Sequence, residues 1–527
     1  MSLKPISLES IESPSPKVSL ASGPLGRAYD LALAAARTCY SSRPIAPQEV
    51  SERQRQELGP SIIAAGHHTP FQHQSLSFVL ENVSRHFVWS FLHSHPYYNS
   101  EQQSQRYVEM SAIRARLPQG LSPEALAVYE GALRDAWASY AKVGERLLTT
   151  TRKRWAPLAR VKGQDEKEAE REAGKKAIET ARYLLPIAAH TTLYHSVSLL
   201  DLARYGQMAG SPDCPEESRE VVGQMLALLR EQDPELASRL LPKELAPESR
   251  PEARVKPSQA LGPGDALAAE FDLSLGKPDS LSALVDCTPK AEAVVAQALR
   301  EVLGLPRAAM ADGEALDLLL NPARNPLLLE SLNAWAQSPA MRCLAHARYV
   351  FRKRLSHTAD SQDQRHRSVP ASRPLLSLCH TSAPDVAVPL GLRADASALQ
   401  EYLDACGRAW QAKNRLLELG VPAHQSVLVL PNALRLRFTE SGDLLGLLHK
   451  WRMRTCFLAQ EEIYDASMQE LKAVASVHPG LAAFIGPPCL TRRGLVPDDG
   501  RRGPCPEGER WCGVNVWLNF PKVKRIF

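Results

Sequence analysis

The feature that most limits how this chain can fold is a repeat of itself. The run "YLLPIAAHTTLYHSVSLLDLARYGQMA" parallels "LVLPNALRLRFTESGDLLGLLHKWRMR", and Pro186 precedes Ala209 by the same 23 positions that separate Pro431 from Arg454. Two further pairs keep the order. "TPFQHQSL" matches "NPLLLESL" at 325–332, and "SRHFVWSFLHSHPYYNSEQQSQRYV" stands where "ARYVFRKRLSHTADSQDQRHRSV" stands later. Three ordered correspondences favour duplication over coincidence. A proline-rich, charged stretch at 242–275 divides the copies and reads as a linker. The expected units are therefore 1–241, the linker 242–275, a divergent copy at 276–475, and a cysteine-containing tail at 476–527.

A chain of 527 residues exceeds one ordinary core, and 44% hydrophobic residues supply enough apolar material for two. No stretch of about 18 apolar residues appears, and the N-terminus has no secretory core, so a cytoplasmic protein with no membrane contact is expected. A net charge of +5 permits an anionic small substrate and gives no reason to expect nucleic acid. Periodicity predicts a helix over 25–40. It also predicts a strand passing into a helix in "FQHQSLSFVLENVSRHFVWSFL", an exposed charged helix before Pro186, and a helix over "AAHTTLYHSVSLLDLARYGQM". The fold class expected is α/β (α+β).

The stretch "HSHPYYNSEQQSQRYVEM" gathers amides, hydroxyls and an arginine just after an apolar run. Amides read polar edges and a guanidinium fork grips oxyanions, so a pocket for something flat and anionic would need this mixture. Together with "HHTPFQHQSLSF", "AAARTCYSS", "ETARYLLP" and the later "LHKWRMRTCFLAQEEI", it resembles flavin-dependent thymidylate synthases, whose signature is Arg-His-Arg, seven residues, Ser, and soon Arg-Tyr. The resemblance implies FAD as cofactor, NADPH and methylene-tetrahydrofolate as co-substrates, and conversion of dUMP to dTMP. It also implies two tandem domains forming a pseudo-dimer, with a homodimer of the chain forming a pseudo-tetramer. By the same resemblance His67, Thr69, Asn99, His93, His95 and His449 are expected to touch flavin or shape its pocket, with Asp443 and His449 replacing two family asparagines near it.

Both halves depart from the pattern. His93-Ser94-His95 stands where the first half should carry Arg-His-Arg, and neutral imidazole lacks the charge and fork of guanidinium. In the second half Arg354 is placed at the first signature arginine and Arg454 beside the uracil, as the catalytic cation. Ser104 is matched there by Arg365, and Arg182 by Val427. Ser104, Gln105, Arg106 and Arg182 from the first half and Arg354 and Arg454 from the second are thus expected to form one composite substrate site, its reciprocal being degenerate. "TADSQDQRHRSVPASRP" reads either as an anion cradle of Arg365, His366 and Arg367 or as a loop satisfying Asp360 and Asp363. Other outcomes left open are modification of another pyrimidine nucleotide and a catalytically silent nucleotide-binding scaffold. At the C-terminal end, Cys489, Cys505 and Cys512 among turn residues suggest a structural zinc, with His478 or Cys456 as fourth ligand; unligated thiols are the alternative.

Overall fold

The computed structural model of the chain describes residues 6–23, 26–93, 95–241, 243–255, 260–498 and 500–525. Two four-stranded antiparallel sheets organise it. The first runs Lys17–Ser22, Ser75–Ser84, His190–Ser198, Tyr98–Gln102 in spatial order; the second runs Ser282–Cys287, Arg348–Ser356, Arg435–Asp443, Ala371–Ser372. In Ser75–Ser84 the side chains of Leu76, Phe78 and Leu80 alternate inward and are buried, as period-two patterning requires.

Each central strand ends on a serine that caps the helix after it. Ser84 Oγ accepts from Phe87 N at the start of Arg85–Leu92, and Ser356 Oγ accepts from Ala359 N at the start of His357–Asp363. Each serine also gives both its backbone N–H and its hydroxyl to one buried glutamate, Glu217 for Ser84 and Glu462 for Ser356. Those glutamates follow Pro186 and Pro431 by the same interval. The two proline segments pair antiparallel with one another: Ile187 N donates to Leu430 O at 2.9 Å and Asn432 N to Leu185 O at 2.8 Å.

Long helices complete the contact between halves. Pro123–Lys162, capped by Ser122, lies against Ala396–Glu418, capped by Asp395, with Arg408 reaching Asp135 at 3.0 Å. One core spans this seam, joining Trp89, Trp137 and Tyr140 to Tyr402, Trp410 and Leu434; each half has a second core under its own sheet.

Several expectations need adjustment. The helix expected over "AAHTTLYHSVSLLDLARYGQM" is a strand, His190–Ser198, and then a helix, Leu199–Gln207, because the β-branched alternation "HTTLYHSVS" suits a half-buried pleat. Its counterpart keeps the same distances from proline in strand Arg435–Asp443 and helix Leu444–Arg454. "NPLLLESL" is not the spatial partner of "TPFQHQSL": the short helix directly before the second sheet's central strand is Met341–His346. The divide at 242–275 contains a helix, Asp265–Ser274, whose Asp272 pairs with Arg437 at 2.8 Å and Arg354 at 2.9 Å.

Candidate functional site

Between the halves lies a cavity of about 330 Å³. From the first half come Arg85, Asn99, the run Gln103–Tyr107, and Arg182; from the second come Gln362, Gln364, Arg365, Arg367 and Arg454. Thus Ser104, Gln105, Arg106, Arg182 and Arg454, expected together from sequence, do line one space. Asn99 stands at the same wall.

Six guanidiniums meet around this cavity, and each is held differently. Arg106 Nε pairs with Glu179 at 2.7 Å and its Nη2 donates to the Leu458 carbonyl at 3.1 Å, tying the first half to the second. Burial opposes its charge, yet Glu179 outweighs that and its pKa is raised. Burial would raise Glu179, but Arg106, Lys176 and Arg182 hold its carboxyl well below the usual range. Arg182 begins a short helical turn, Arg182–Leu184, and the Gln362 amide, turned with its oxygen toward the guanidinium, accepts from it at 2.9 and 3.3 Å. Arg454, at the end of its helix, donates to Gln362 O at 2.5 Å and lies 3.4 Å from Asp363. Burial lowers its pKa, and the charges of Arg365 and Arg106 press in the same direction.

Arg85 was missed by sequence reading, though its place as the lone cation opening an apolar helix was a signal. It is 5% exposed, its Nε has no acceptor, and burial beside Arg182 pushes its pKa down to about 9; burial, with Arg106 pressing the same way against Glu179, takes Arg182 down to about 10. Both stay charged at neutral pH. Gln105 Nε2 and Gln364 Oε1 are likewise buried without partners at this wall. Buried polar atoms without partners cost on the order of 1–3 kcal/mol each, and a bound anion with a donor–acceptor edge would satisfy them.

Arg354 is not part of the cavity. It lies beneath a separate space of about 1150 Å³, where Asp272 neutralises it and the carbonyls of Pro278 and Ser280 accept from it. The register used for the second half is the reason. Counted from the capping serines, Arg365 is to Ser356 what His93 is to Ser84, and Arg367 likewise matches His95. The intact Arg-His-Arg is therefore 365–367. After seven intervening residues stand Leu375 and, two on, Ser377, where the signature would place its serine and arginine. In the first half eight residues, one more than the signature, separate His95 from Ser104. Arg365 reaches Glu101 at 3.0 Å, Arg367 lies over the Tyr98 ring at 5.3 Å, and the half-buried His366 ring meets His449 at 5.5 Å.

The side chains expected to touch flavin scatter. His67 and Thr69 are exposed beside the short helix Thr69–Gln72 and do not line the cavity. His95 is bonded to Tyr205 Oη at 2.6 Å, and His93 is packed on Trp89 and 3.7 Å from Asp360, with burial taking it down to about 3. Asp443 caps the helix that carries Arg454. A single chain does not gather these groups into one flavin seat. Zinc is not accommodated either. Among the described residues no three His, Cys, Asp or Glu side chains converge tightly enough for one metal ion, and His478 is engaged by Tyr349 Oη at 3.1 Å. Among the same residues no helix is long and apolar enough to cross a membrane.

Fold and cavity together describe an α+β protein with an arginine-lined cavity between its halves. Its sequence matches the family described as thymidylate synthase complementing protein over residues 26–235 and 283–480, and the chain belongs to that family. Relatives named flavin-dependent thymidylate synthase include those of Geobacter sulfurreducens, 34% identical over 24% of this chain and 47% of that one, and Clostridium tetani, 26% identical over 38% and 78%. The relative from Nitratidesulfovibrio vulgaris is 29% identical over 39% of this chain and 79% of its own. The chain thus spans about half the length of the first and over three quarters of the other two. A solved UMP/dUMP methylase from Streptomyces cacaoi, bound with 5-Br dUMP, is 19% identical with a TM-score of 0.33, covering 44% of this chain and 100% of that one. The chain is a flavin-dependent thymidylate synthase-like enzyme by its family and relatives.

Proposed function

We propose that the chain methylates dUMP to dTMP at one composite site, its two halves acting as two subunits of a dimer would, and that the units divide near 242–275. The observation that carries this is the meeting of Arg106 and Arg182, from before the divide, with Arg365 and Arg454, from after it, around a cavity of one nucleotide's size. The phosphate is held by Arg106 and the Ser104 hydroxyl, with Arg182 and Arg365 completing the cradle through charge-assisted bonds. Gln105 and Gln364, a donor and an acceptor without partners, read the edge of the base. Arg454, oriented by Gln362 and Asp363, faces the uracil and stabilises negative charge as it develops on the ring, an electrostatic contribution of several kcal/mol.

Because one chain does not assemble the flavin seat, FAD is taken at a junction with a second copy, where the exposed His67 and Thr69 of one chain can approach Asn99 and Arg367 of the other. NADPH and methylene-tetrahydrofolate serve as co-substrates in the cytoplasm. The test is tritium release from 5-labelled dUMP. Release that requires both co-substrates supports the reading. Release from another pyrimidine nucleotide but not dUMP transfers the activity to that nucleotide, and tight dUMP binding without release identifies a silent binding protein; either outcome overturns thymidylate synthesis.

A further inference from the structure

Beneath the second sheet, five charged side chains are shut away from solvent. Lys353, Asp363, Glu440, Lys450 and Glu470 are each at most 2% exposed. They come from five different elements: the strands Arg348–Ser356 and Arg435–Asp443, and the helices His357–Asp363, Leu444–Arg454 and Glu461–Val477. Lys353 Nζ lies 3.2 Å from Asp363, 3.1 Å from Glu440 and 2.9 Å from Glu470. Lys450 Nζ lies 2.7 Å from Asp363 and 2.5 Å from Glu440, and the Trp451 indole N–H donates to Glu470 at 2.8 Å.

Burial opposes charge on Lys353, Asp363 and Glu470, yet the opposite charges around them prevail, holding the lysine's pKa well up and both carboxyls down. Two ammonium groups thus face three carboxylates, and one negative charge is left over. Arg454 meets it. It stands one turn beyond Lys450 on the same helix, with its Nε 3.4 Å from Asp363.

The first half builds the same scaffold without these charges. Lys353 pairs with Phe438 across its sheet as Leu80 pairs with Leu193, each partner seven residues past its proline. Counting from the capping serines matches Asp363 to Phe91. Counting from the prolines matches Glu440, Lys450 and Glu470 to His195, Tyr205 and Met225. All five first-half side chains are buried, and the two polar ones satisfy one another, His195 Nε2 and Tyr205 Oη lying 3.1 Å apart. Burying ions costs desolvation that well-packed apolar side chains avoid, so stability gives no reason for the exchange. What the second half has and the first lacks is Arg454, whose counterpart is Ala209.

We propose that the buried network is a positioning device for Arg454: Lys353, Lys450, Glu440 and Glu470 fix the Asp363 carboxylate, which with the Gln362 carbonyl aims the guanidinium into the cavity. None of the four lines that cavity. The inference rests on the reading of Arg454 as the group facing the base, and it adds the residues on which that aim depends. A cation held in place before the reaction has no reorganisation to undergo as charge develops on the ring.

The test is a variant carrying the first half's own residues, Lys353→Leu, Asp363→Phe, Glu440→His, Lys450→Tyr and Glu470→Met together. Its unfolding midpoint is expected to be no lower than the parent's. Its dUMP affinity should fall by less than about tenfold, because Arg454 keeps its charge, while kcat for tritium release falls by about a hundredfold, because the charge is no longer aimed. Its crystal structure without ligand should show the Arg454 guanidinium displaced from the Gln362 carbonyl. Should the fivefold variant not fold, Glu440→His with Lys450→Tyr replaces it. That pair removes one charge of each sign, and the same displacement and the same split between kcat and affinity are expected. An unmoved Arg454, or an unchanged kcat with a lowered unfolding midpoint, would overturn the proposal and leave the network as a support of the core. If the parent releases no tritium from dUMP, the proposed methylation fails by itself, and the place of Arg454 in the variant's crystal structure still decides what the network does.

Discussion

Six arginines line the cavity between the halves, and the repeat assigns each a counterpart on the other side of the seam. Arg85 corresponds to His357, Arg106 to Ser377, Arg182 to Val427, Arg365 to His93, Arg367 to His95, and Arg454 to Ala209. None of the counterparts is an arginine. Where Arg106 reaches across to the Leu458 carbonyl, Ser377 instead donates from both N and Oγ to the Asp213 carboxylate, with Leu376 N donating as well. His93 and His357 are buried with neither ring nitrogen hydrogen-bonded, and Asp360 is neutralised by Arg373. One side has kept excess positive charge against a space; on the other the counterpart side chains carry no guanidinium, and Asp213 borders a separate cavity of about 400 Å³ with Glu216, Glu217 and Glu220. In a duplicated chain each half supplies what the other has lost, so selection for one site leaves its mirror free to pack.

The largest effect that could break this comparison is in nucleotide affinity. Arg106→Ala and Arg454→Ala should each weaken dUMP binding by about a hundredfold, near 3 kcal/mol for a buried charge-assisted contact, while Ser377→Ala at the mirror position leaves titration calorimetry unchanged. Arg354→Ala sharpens the register: it should leave dUMP affinity intact yet lower unfolding free energy by about 2 kcal/mol, since Asp272 loses a close partner. Unaltered stability together with lost binding would restore Arg354 to the site.

A comparable effect separates Glu461 from Glu216, which occupy matched positions 30 residues past their prolines. Burial raises Glu461 to about 7, whereas the His424 hydrogen bond lowers Glu216. A raised carboxyl favours the native state while protonated, so its contribution is complete below its unfolded pKa and is lost as pH climbs toward 7. A lowered one contributes above its unfolded pKa and loses that as pH falls through its folded value. Denaturant unfolding across pH 4–8 should therefore show Glu461→Gln gaining about 2 kcal/mol relative to the parent at the upper end, with Glu216→Gln losing a few tenths. The smallest effect is at the seam's rim: Arg408→Ala should cost about 0.5 kcal/mol, as exposed ion pairs do.

Much of the cavity's lining was legible because spacing from proline survives divergence. Spacing from Pro186 and Pro431 matched Arg182 to Val427 and Ala209 to Arg454, since the strands after the two prolines have equal lengths and the helices after them begin at the same distance. Arg354 was misplaced because the stretch before it carries no invariant landmark; only the capping serines, visible through their hydrogen bonds to Glu217 and Glu462, fix the register. His93 and His95 looked like site residues by position, but their partners, Asp360 and Tyr205, lie far along the chain. Arg85 escaped notice since a buried arginine is recognised by what surrounds it.

The most direct test is a crystal structure of the chain with dUMP. It should show one nucleotide per chain, its phosphate bonded by Arg106 or Arg182 together with Arg365, and its base against Arg454. A nucleotide held by residues of one half alone, or a second one seated beside Asp213 and Ser377, would contradict the composite site.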